Sequence, residues 1–338
     1  MTSKEASRVI LVVSTKYDPH VDFLIPKLTE RHIPFLRFNT EDFPLRSQLT
    51  VSFDESGHYR ERLSLPNSPD TVGEDIISVW YRRPAPSELP EEFPLAVRMF
   101  AEEETRDTIR GFWELLDCLW VNHPDRIRRA NMKIHQLKVA GQLGLEIPRT
   151  IVTNDPEEAN KFIGTLRGPI VVKPLSRGYI DDNDQPGAIY TNLIETKHIE
   201  QIHQIKYTPS LFQEYVPKDV ELRITVVGNQ IFTAEIHSQQ KEEARHDWRR
   251  DALALEHREH SLPDDIKLKC IQLTKTFGLE FGAIDMILTP DGRYVFLEIN
   301  PNGQWAWIEE LTGLPISEAL IGLLVQGNDS NAPSYSSS

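Results

Sequence analysis

Phe281 to Asn300, FGAIDMILTPDGRYVFLEIN, is the stretch whose reading decides the fold. Its middle, Thr289-Pro290-Asp291-Gly292, is turn chemistry, because Pro pre-sets a turn dihedral and Gly tolerates positive φ. The flanks are rich in Ile, Val, Phe, Tyr and Leu, so the whole reads as a β-hairpin. If the loop is symmetric about Asp291-Gly292, residues whose numbers share one sum face each other. Pro290 then opposes Arg293, and Asp285 opposes Glu298. Asn300, two residues on, shares the face of Glu298. Two carboxylates opposed across a sheet repel each other, so something positive is expected between them. Asp285, Glu298 and Asn300 form a hard, all-oxygen, incomplete ligand set that suits Mg²⁺ completed by waters and phosphates. The inference is conditional on register, since a one-residue bulge in the turn would ruin it. The bland alternative is a solvated face whose acids point at water. Apolar neighbours Ile284, Met286, Leu297 and Ile299 count against that.

At 338 residues the chain is long enough for two or three domains. Charged residues make up 26% and hydrophobic residues 39%, as in ordinary globular proteins. A formal charge of −14 argues against a general nucleic-acid binder, which needs a basic face. The two cysteines, Cys118 and Cys270, sit in apolar helical contexts and read as buried free thiols of a reducing compartment. The opening apolar run is too short for a signal peptide, and no segment approaches the ~18 apolar residues of a membrane span. A cytoplasmic protein with no membrane partner is expected.

Val9 to Val13 is a β-branched run of the kind buried on both faces. Asp18-Pro19 opens a helix to about Arg31, and Pro34 to Phe38 is a second strand, so the chain starts β-α-β with a parallel pair. Leu49 to Phe53 and Ile76 to Tyr81 are further strands, separated by a Gly-, Pro- and Ser-rich stretch. Trp80-Tyr81-Arg82-Arg83-Pro84 reads either as a contact for substrate or partner or, more blandly, as an edge strand with solvated arginines. A long helix from Phe93 to Leu119 and a strand, Leu119 to Asn122, end this α/β domain at residue 124. Arg126 to Leu143 is helical, with Gly144 at C′. Ile147 to Val152, Gly168 to Pro174 and Ala188 to Asn192 are strands, and Asn154-Asp155-Pro156 starts a helix between the first two. These make a small central domain, 125–208. A strand from Leu211 to Tyr215, a hairpin turning at Gly228-Asn229, a helix from Pro263 to Phe277, the opening hairpin and a last helix, Leu314 to Val325, form the C-terminal domain, 209–328. The Ser- and Asn-rich end, 329–338, reads as disordered.

Singly, the remaining candidates are weak. Lys173 can snorkel from its strand. Lys133 can be any surface lysine. Arg223, alternating with Glu221, can be a cross-strand salt bridge. Order changes the weighting. Lys133, then Val172-Lys173-Pro174 with a Gly-containing loop, then Phe212-Gln213-Glu214-Tyr215-Val216, then Glu221-Leu222-Arg223, then Asp285 and Glu298-Ile299-Asn300-Pro301 resembles the motif order of ATP-grasp ligases. Trp80-Tyr81-Arg82-Arg83, Glu221 to Thr225, Ser238-Gln239-Gln240 with Asp247-Trp248-Arg249, and Tyr294 to Pro301 resemble the microviridin-type maturases, which cross-link ribosomally made peptides (graspetides). That second resemblance spans nearly the whole chain.

The resemblance implies an ATP-grasp fold, α/β in its first domain and α+β beyond, with ATP between the last two domains. It implies formation of an ester or amide between Asp or Glu carboxylates and Ser, Thr or Lys side chains of a precursor peptide, through an acyl phosphate. Phosphoryl transfer needs positioning and charge neutralisation more than protein nucleophiles. Asp285, Glu298 and Asn300 would hold two Mg²⁺, with Glu298 shared. Lys133 and Lys173 would meet the phosphates, and the strand through Gln213, Glu214, Tyr215 and Val216 the adenine. Glu221 would meet the ribose. Arg223 would sit beside the acyl phosphate where charge develops, and Arg249 would orient the acceptor side by a bidentate pair, a mobile surface arginine being the alternative. The partner is a leader-and-core peptide, with no nucleic acid, and a homodimer is compatible with the reading. One departure stands out: Ser176-Arg177-Gly178-Tyr179 holds a single glycine where many ATP-grasp enzymes have a longer glycine-rich lid. Asp181, Asp182 and Asp184 follow it and suggest a hairpin that meets basic or hydroxyl-bearing residues of a peptide. Competing readings are a carboxylate–amine ligase of the glutathione-synthetase or glutamate-adding type, and a nucleotide-binding scaffold without turnover.

Overall fold

Val9–Ser14 is buried at all six positions because it runs inside a four-stranded parallel sheet. The structure, a computed structural model, describes residues 8–176, 179–180, 187–188, 191–241, 248 and 254–328. Arg249, the acids Asp181, Asp182 and Asp184, and the tail 329–338 lie outside the described residues. The chain divides into two compact units. One comprises Met1–Pro124, Leu279–Phe281 and Pro315–Ser338; the other comprises Asp125–Gly278 and Gly282–Leu314.

In the first unit the parallel sheet runs in the order Phe35–Asn39, Val9–Ser14, Ile76–Tyr81, Leu119–Val121. The expected β-α-β start is present. Its helix, Pro19–Glu30, is capped by Asp18, whose side chain accepts from the His20 N–H at 3.0 Å, and it buries Val21, Leu24 and Leu28. Helix Leu95–Leu115 is shorter than the expected Phe93–Leu119, because Leu116 turns extended. Tyr59–Ser64, YRERLS, was not expected as a strand but pairs antiparallel with Gln48–Phe53. Its alternating charges carry no apolar face to announce it. The solvated-edge reading of Trp80 to Pro84 is corrected for the edge and for the first arginine: Ile76–Tyr81 is an internal strand, and Arg82 is 2% exposed with Nε 3.5 Å from Asp18 Oδ2, whereas Arg83 is exposed. The last helix, Ile316–Gln326, packs in this unit on Ile76–Tyr81, where the Ser78 hydroxyl donates to Leu324 O at 2.8 Å.

Among the described residues the second unit holds two larger sheets and a two-stranded pair, Tyr179–Ile180 with Gly187–Ala188. Its first helix is two, Pro124–Ala130 and Lys133–Gln142, with Asn131-Met132 between them. Gly144 takes φ +73° at C′, as the sequence demands of a left-handed stop. An antiparallel sheet follows the order Asn192–Leu193, Ile170–Lys173, Ser210–Glu214, Thr150–Thr153. By hydrogen bonding, Ser210–Glu214, numbered above with the C-terminal segment, completes this central sheet. Helix Pro156–Thr165, capped by Asp155, covers it through Ala159, Ile163 and Phe162. The second sheet has five strands: His257–Glu259, Gln230–Ile236, Val220–Val227, Phe281–Leu288 and Tyr294–Asn300.

The last two strands form the opening hairpin, and their register is instructive. Thr289, not Pro290, meets Arg293: the Thr289 N–H donates to Arg293 O at 3.0 Å, and Gly292 takes φ +82° in a three-residue loop. The ladder therefore starts one residue off, with Leu288 opposite Tyr294 and Met286 opposite Phe296. A bulge at Leu297 then shifts it back, so Asp285 does face Glu298 and Ala283 faces Asn300. Two offsets cancel.

Candidate active site

Strand Val220–Val227 is buried at every position even though it carries Glu221, Arg223 and Thr225. Glu221 and Arg223, two residues apart, point to one face. Arg223 Nη1 donates to Asp285 Oδ1 at 2.8 Å, and Nη2 to Gln304 O at 3.0 Å. The cross-strand salt bridge weighed above is thus present, but it is buried and its acid is the candidate metal ligand. On the next strand Glu298 Oε2 lies 3.1 Å from Lys133 Nζ, which also donates to Pro174 O at 3.0 Å. Each opposed acid has its own cation. Asn300 Oδ1 accepts from the Asn302 N–H at 3.0 Å.

Lys133 reaches the hairpin because of a residue the sequence did not single out. One turn along its helix, the buried Gln136 donates from Nε2 to Ile299 O at 2.8 Å and accepts from the Ile299 N–H at 3.1 Å. The side chain pairs with the strand as a peptide group would, which fixes the helix against Glu298 and Asn300. Nothing local in a helical glutamine announces such a partner 163 residues away.

In the central sheet Lys173 Nζ donates to Gln213 Oε1 at 2.8 Å, and Gln213 Nε2 donates to Thr150 Oγ1 at 2.9 Å. The Glu214 and Tyr215 N–H groups are spent on Arg149 O and Pro169 O, at 2.9 and 3.0 Å. Val216 follows where the chain leaves the ladder, and its backbone groups carry no hydrogen bond among the described residues. Glu221 Oε1 accepts from Lys218 Nζ and from the Ser238 hydroxyl, each at 2.7 Å, and all three groups are buried. Lys218 and Ser238 are further residues to which the sequence reading gave no role. The contacts make two ion pairs, Arg223–Asp285 and Lys133–Glu298, which the register of the hairpin sets side by side, with Lys173 one residue from the Pro174 carbonyl that Lys133 holds. Three oxygen donors on adjacent strands, two of them charged, fit a hard divalent cation. Lys133, Lys173 and Arg223 give this region a positive side within a strongly acidic chain.

A family model described as "RimK-like ATP-grasp domain" matches residues 130–324. The chain belongs to the RimK-like ATP-grasp family. Ahead of that segment, residues 8–128 match the "MvdD pre-ATP grasp domain". Among solved structures, this ATP-grasp chain is similar to a RiPP-associated ATP-grasp ligase of Chryseobacterium gregarium, solved in complex with ADP and a leader and core peptide. The two are 33% identical with a TM-score of 0.87, over 96% of this chain and 98% of that one. It is also similar to the macrocyclase MdnC of Microcystis aeruginosa, bound with the precursor peptide MdnA, at 32% identity and TM-score 0.82, over 94% and 99%. Among curated relatives is a ribosomal protein bS6–L-glutamate ligase of Salmonella paratyphi B. It is 26% identical over 216 residues, 62% of this chain and 68% of that protein. The ATP-grasp fold expected from the motif order is the fold observed.

Proposed function

We propose that this protein is an ATP- and Mg²⁺-dependent ligase that cross-links a ribosomally made precursor peptide. It would join Asp or Glu side-chain carboxylates to Ser or Thr hydroxyls, or to Lys amines. The observation that carries the reading is the likeness along the whole chain, first domain included, to peptide-bound ATP-grasp ligases at 32–33% identity. The glutamate ligases match over less of the chain.

A carboxylate is inert until its oxygen becomes a leaving group, and transfer of the γ-phosphoryl group of ATP makes it one. Asp285, Glu298 and Asn300 would hold Mg²⁺, whose charge would offset that of the phosphates. In this reading Lys133 and Lys173 bind phosphate oxygens and orient the chain of phosphates. The Gln213 to Val216 segment takes the adenine, with Val216 offering its backbone N–H and C=O. Glu221, held by Lys218 and Ser238, takes the ribose hydroxyls. Arg223, fixed by Asp285 and Gln304, places a guanidinium where negative charge grows on the acyl carbon's oxygen. Arg249 remains a candidate for orienting the acceptor side. The leader would supply affinity away from the chemistry.

Mass spectrometry of a precursor incubated with the protein, Mg²⁺ and ATP tests this, with successive losses of one water expected. An unchanged mass with ATP consumed would sink it. Glu298→Gln should abolish the loss, and near-normal activity in that variant would contradict the metal assignment. The curated relatives favour a second reading, addition of an amino acid to a protein tail. Mass gain on such a tail, with no loss on any peptide, would select it.

A further inference from the structure

Arg223 is 5% exposed, and its surroundings are unequal. Its two terminal nitrogens donate to Asp285 and Gln304, but Nε is buried without a hydrogen-bond partner among the described residues. The guanidinium carbon lies 5.9 Å from the centre of the Trp248 ring. Trp248 is itself 8% exposed and clusters with Ile236 and Leu255. Its ring lies tilted against Trp307 at 5.2 Å and 34°, and His257 meets Trp307 edge-on at 5.2 Å and 78°. A buried donor without a partner forfeits the hydrogen bond water would have given it. An arginine left so beside two packed indoles marks a place from which water is kept. The cation–π contact keeps the guanidinium there.

We propose that the Trp248–Trp307 pair is a water-excluding wall of the acyl-transfer site, which makes a substrate hydroxyl or amine, rather than water, the acceptor of the activated carboxylate. This rests on the ligase reading above. In an acyl phosphate the peptide nucleophile attacks the carbonyl carbon and forms a C–O or C–N bond. The C–O bond to phosphorus's oxygen breaks, phosphate leaves with the electron pair, and the nucleophile's proton passes to it or to solvent. Water attacking the same carbon breaks the same bond and returns free carboxylate, phosphate and a proton. Either route consumes the ATP; the first alone removes water from the peptide. Exclusion of bulk water therefore sets the ratio between them. Trp248 and Trp307 are specificity residues in this sense, acting on which nucleophile arrives.

The test is the ratio of ADP released to water lost from the peptide, measured on the full chain with Mg²⁺, ATP and precursor. Wild type should give about one ADP per cross-link. Trp248→Ala should raise the ratio about tenfold, the factor that about 1.4 kcal/mol of lost discrimination makes. Trp248→Phe, which keeps an apolar ring over Arg223, should stay near wild type. A merely structural Trp248 would lower ADP release and cross-linking in parallel with the ratio unchanged, and that result overturns the proposal. Should Trp248→Ala fail to fold, Trp307→Leu decides: a raised ratio in folded protein supports the wall, an unchanged one removes it. Failure of the ligase reading is visible separately, in wild type that makes no cross-link. If wild type instead adds an amino acid to a tail, ADP per amide formed puts the same question to the same residues.

Discussion

Asp18 does two jobs at the end of one parallel strand. It caps helix Pro19–Glu30 and it faces the buried Arg82 guanidinium. Burial pushes its carboxyl up, but the Arg82 charge, the Ser14 hydroxyl and the His20 N–H outweigh that and hold it below its ordinary value of 3.8. Burial likewise lowers Arg82, to about 10, against the pull of Asp18. A carboxyl depressed in the folded state stabilises the fold above the unfolded value and loses that contribution as pH falls through the folded one. Asp18→Asn should therefore melt lower at neutral pH, because the buried Arg82 guanidinium loses the charged carboxylate that faces it. It should also lose less further stability than wild type between about pH 4 and pH 2. Thermal melts across that range check it, and parallel acid limbs would refute the assignment. Residues of this kind were the least legible in the sequence. Arg82 reads as solvated because its partner lies 64 positions back, and Gln136 reads as inert for the same reason. Arg223 and the acids of the hairpin were legible because their spacing carried the meaning.

Strands and helices were easier, since periodicity is local. The run Val9–Ser14, the cap at Asp155 and the stops at Gly144 and Gly228 form as their residue types require. YRERLS escapes a periodicity reading because it buries a single apolar residue, Leu63, and is otherwise held by pairing with Gln48–Phe53. The Asp285–Glu298 pairing was reached from a turn that is in fact one residue different, and the bulge at Leu297 repaired it. Sequence symmetry does not encode a bulge. Where the hairpin ends, the backbone must pass close to the site. A Cβ on Gly303 would lie 2.3 Å from Ala283 Cβ and 2.7 Å from Arg223 Nη2. Gly303→Ala should cost about 1–3 kcal/mol in stability. It should also displace Arg223 from Asp285 and Gln304, lowering kcat well beyond what the melt explains. A folded Gly303→Ala protein with wild-type kcat would show that the guanidinium's place is not critical.

At the scale of the whole chain, the first unit is discontinuous. Ile316, Leu320, Ile321 and Leu324 of the last helix are buried, Lys27 donates to the Ser317 hydroxyl at 2.5 Å, and Arg31 pairs with Glu318 at 2.6 Å. Burying four aliphatic side chains contributes roughly 1.5–3 kcal/mol each, which together rivals the whole stability of a domain. A fragment of residues 8–124 should therefore lack a cooperative melt by circular dichroism. One carrying 315–328 on a linker should recover it. A sharp transition without the helix would disprove the dependence. No window of sequence shows this, because an amphipathic helix names its apolar face and not its destination. Synthesis meets the same discontinuity in time. As the polypeptide leaves the ribosome, the leading unit has its sheet but not the helix that seals Ile76–Tyr81. The trailing unit, whose segments lie before residue 315, is complete first. Domains that fold in order of emergence close from the N-terminus; here the first to appear is the last to be finished, and its open sheet is what a chaperone would meet.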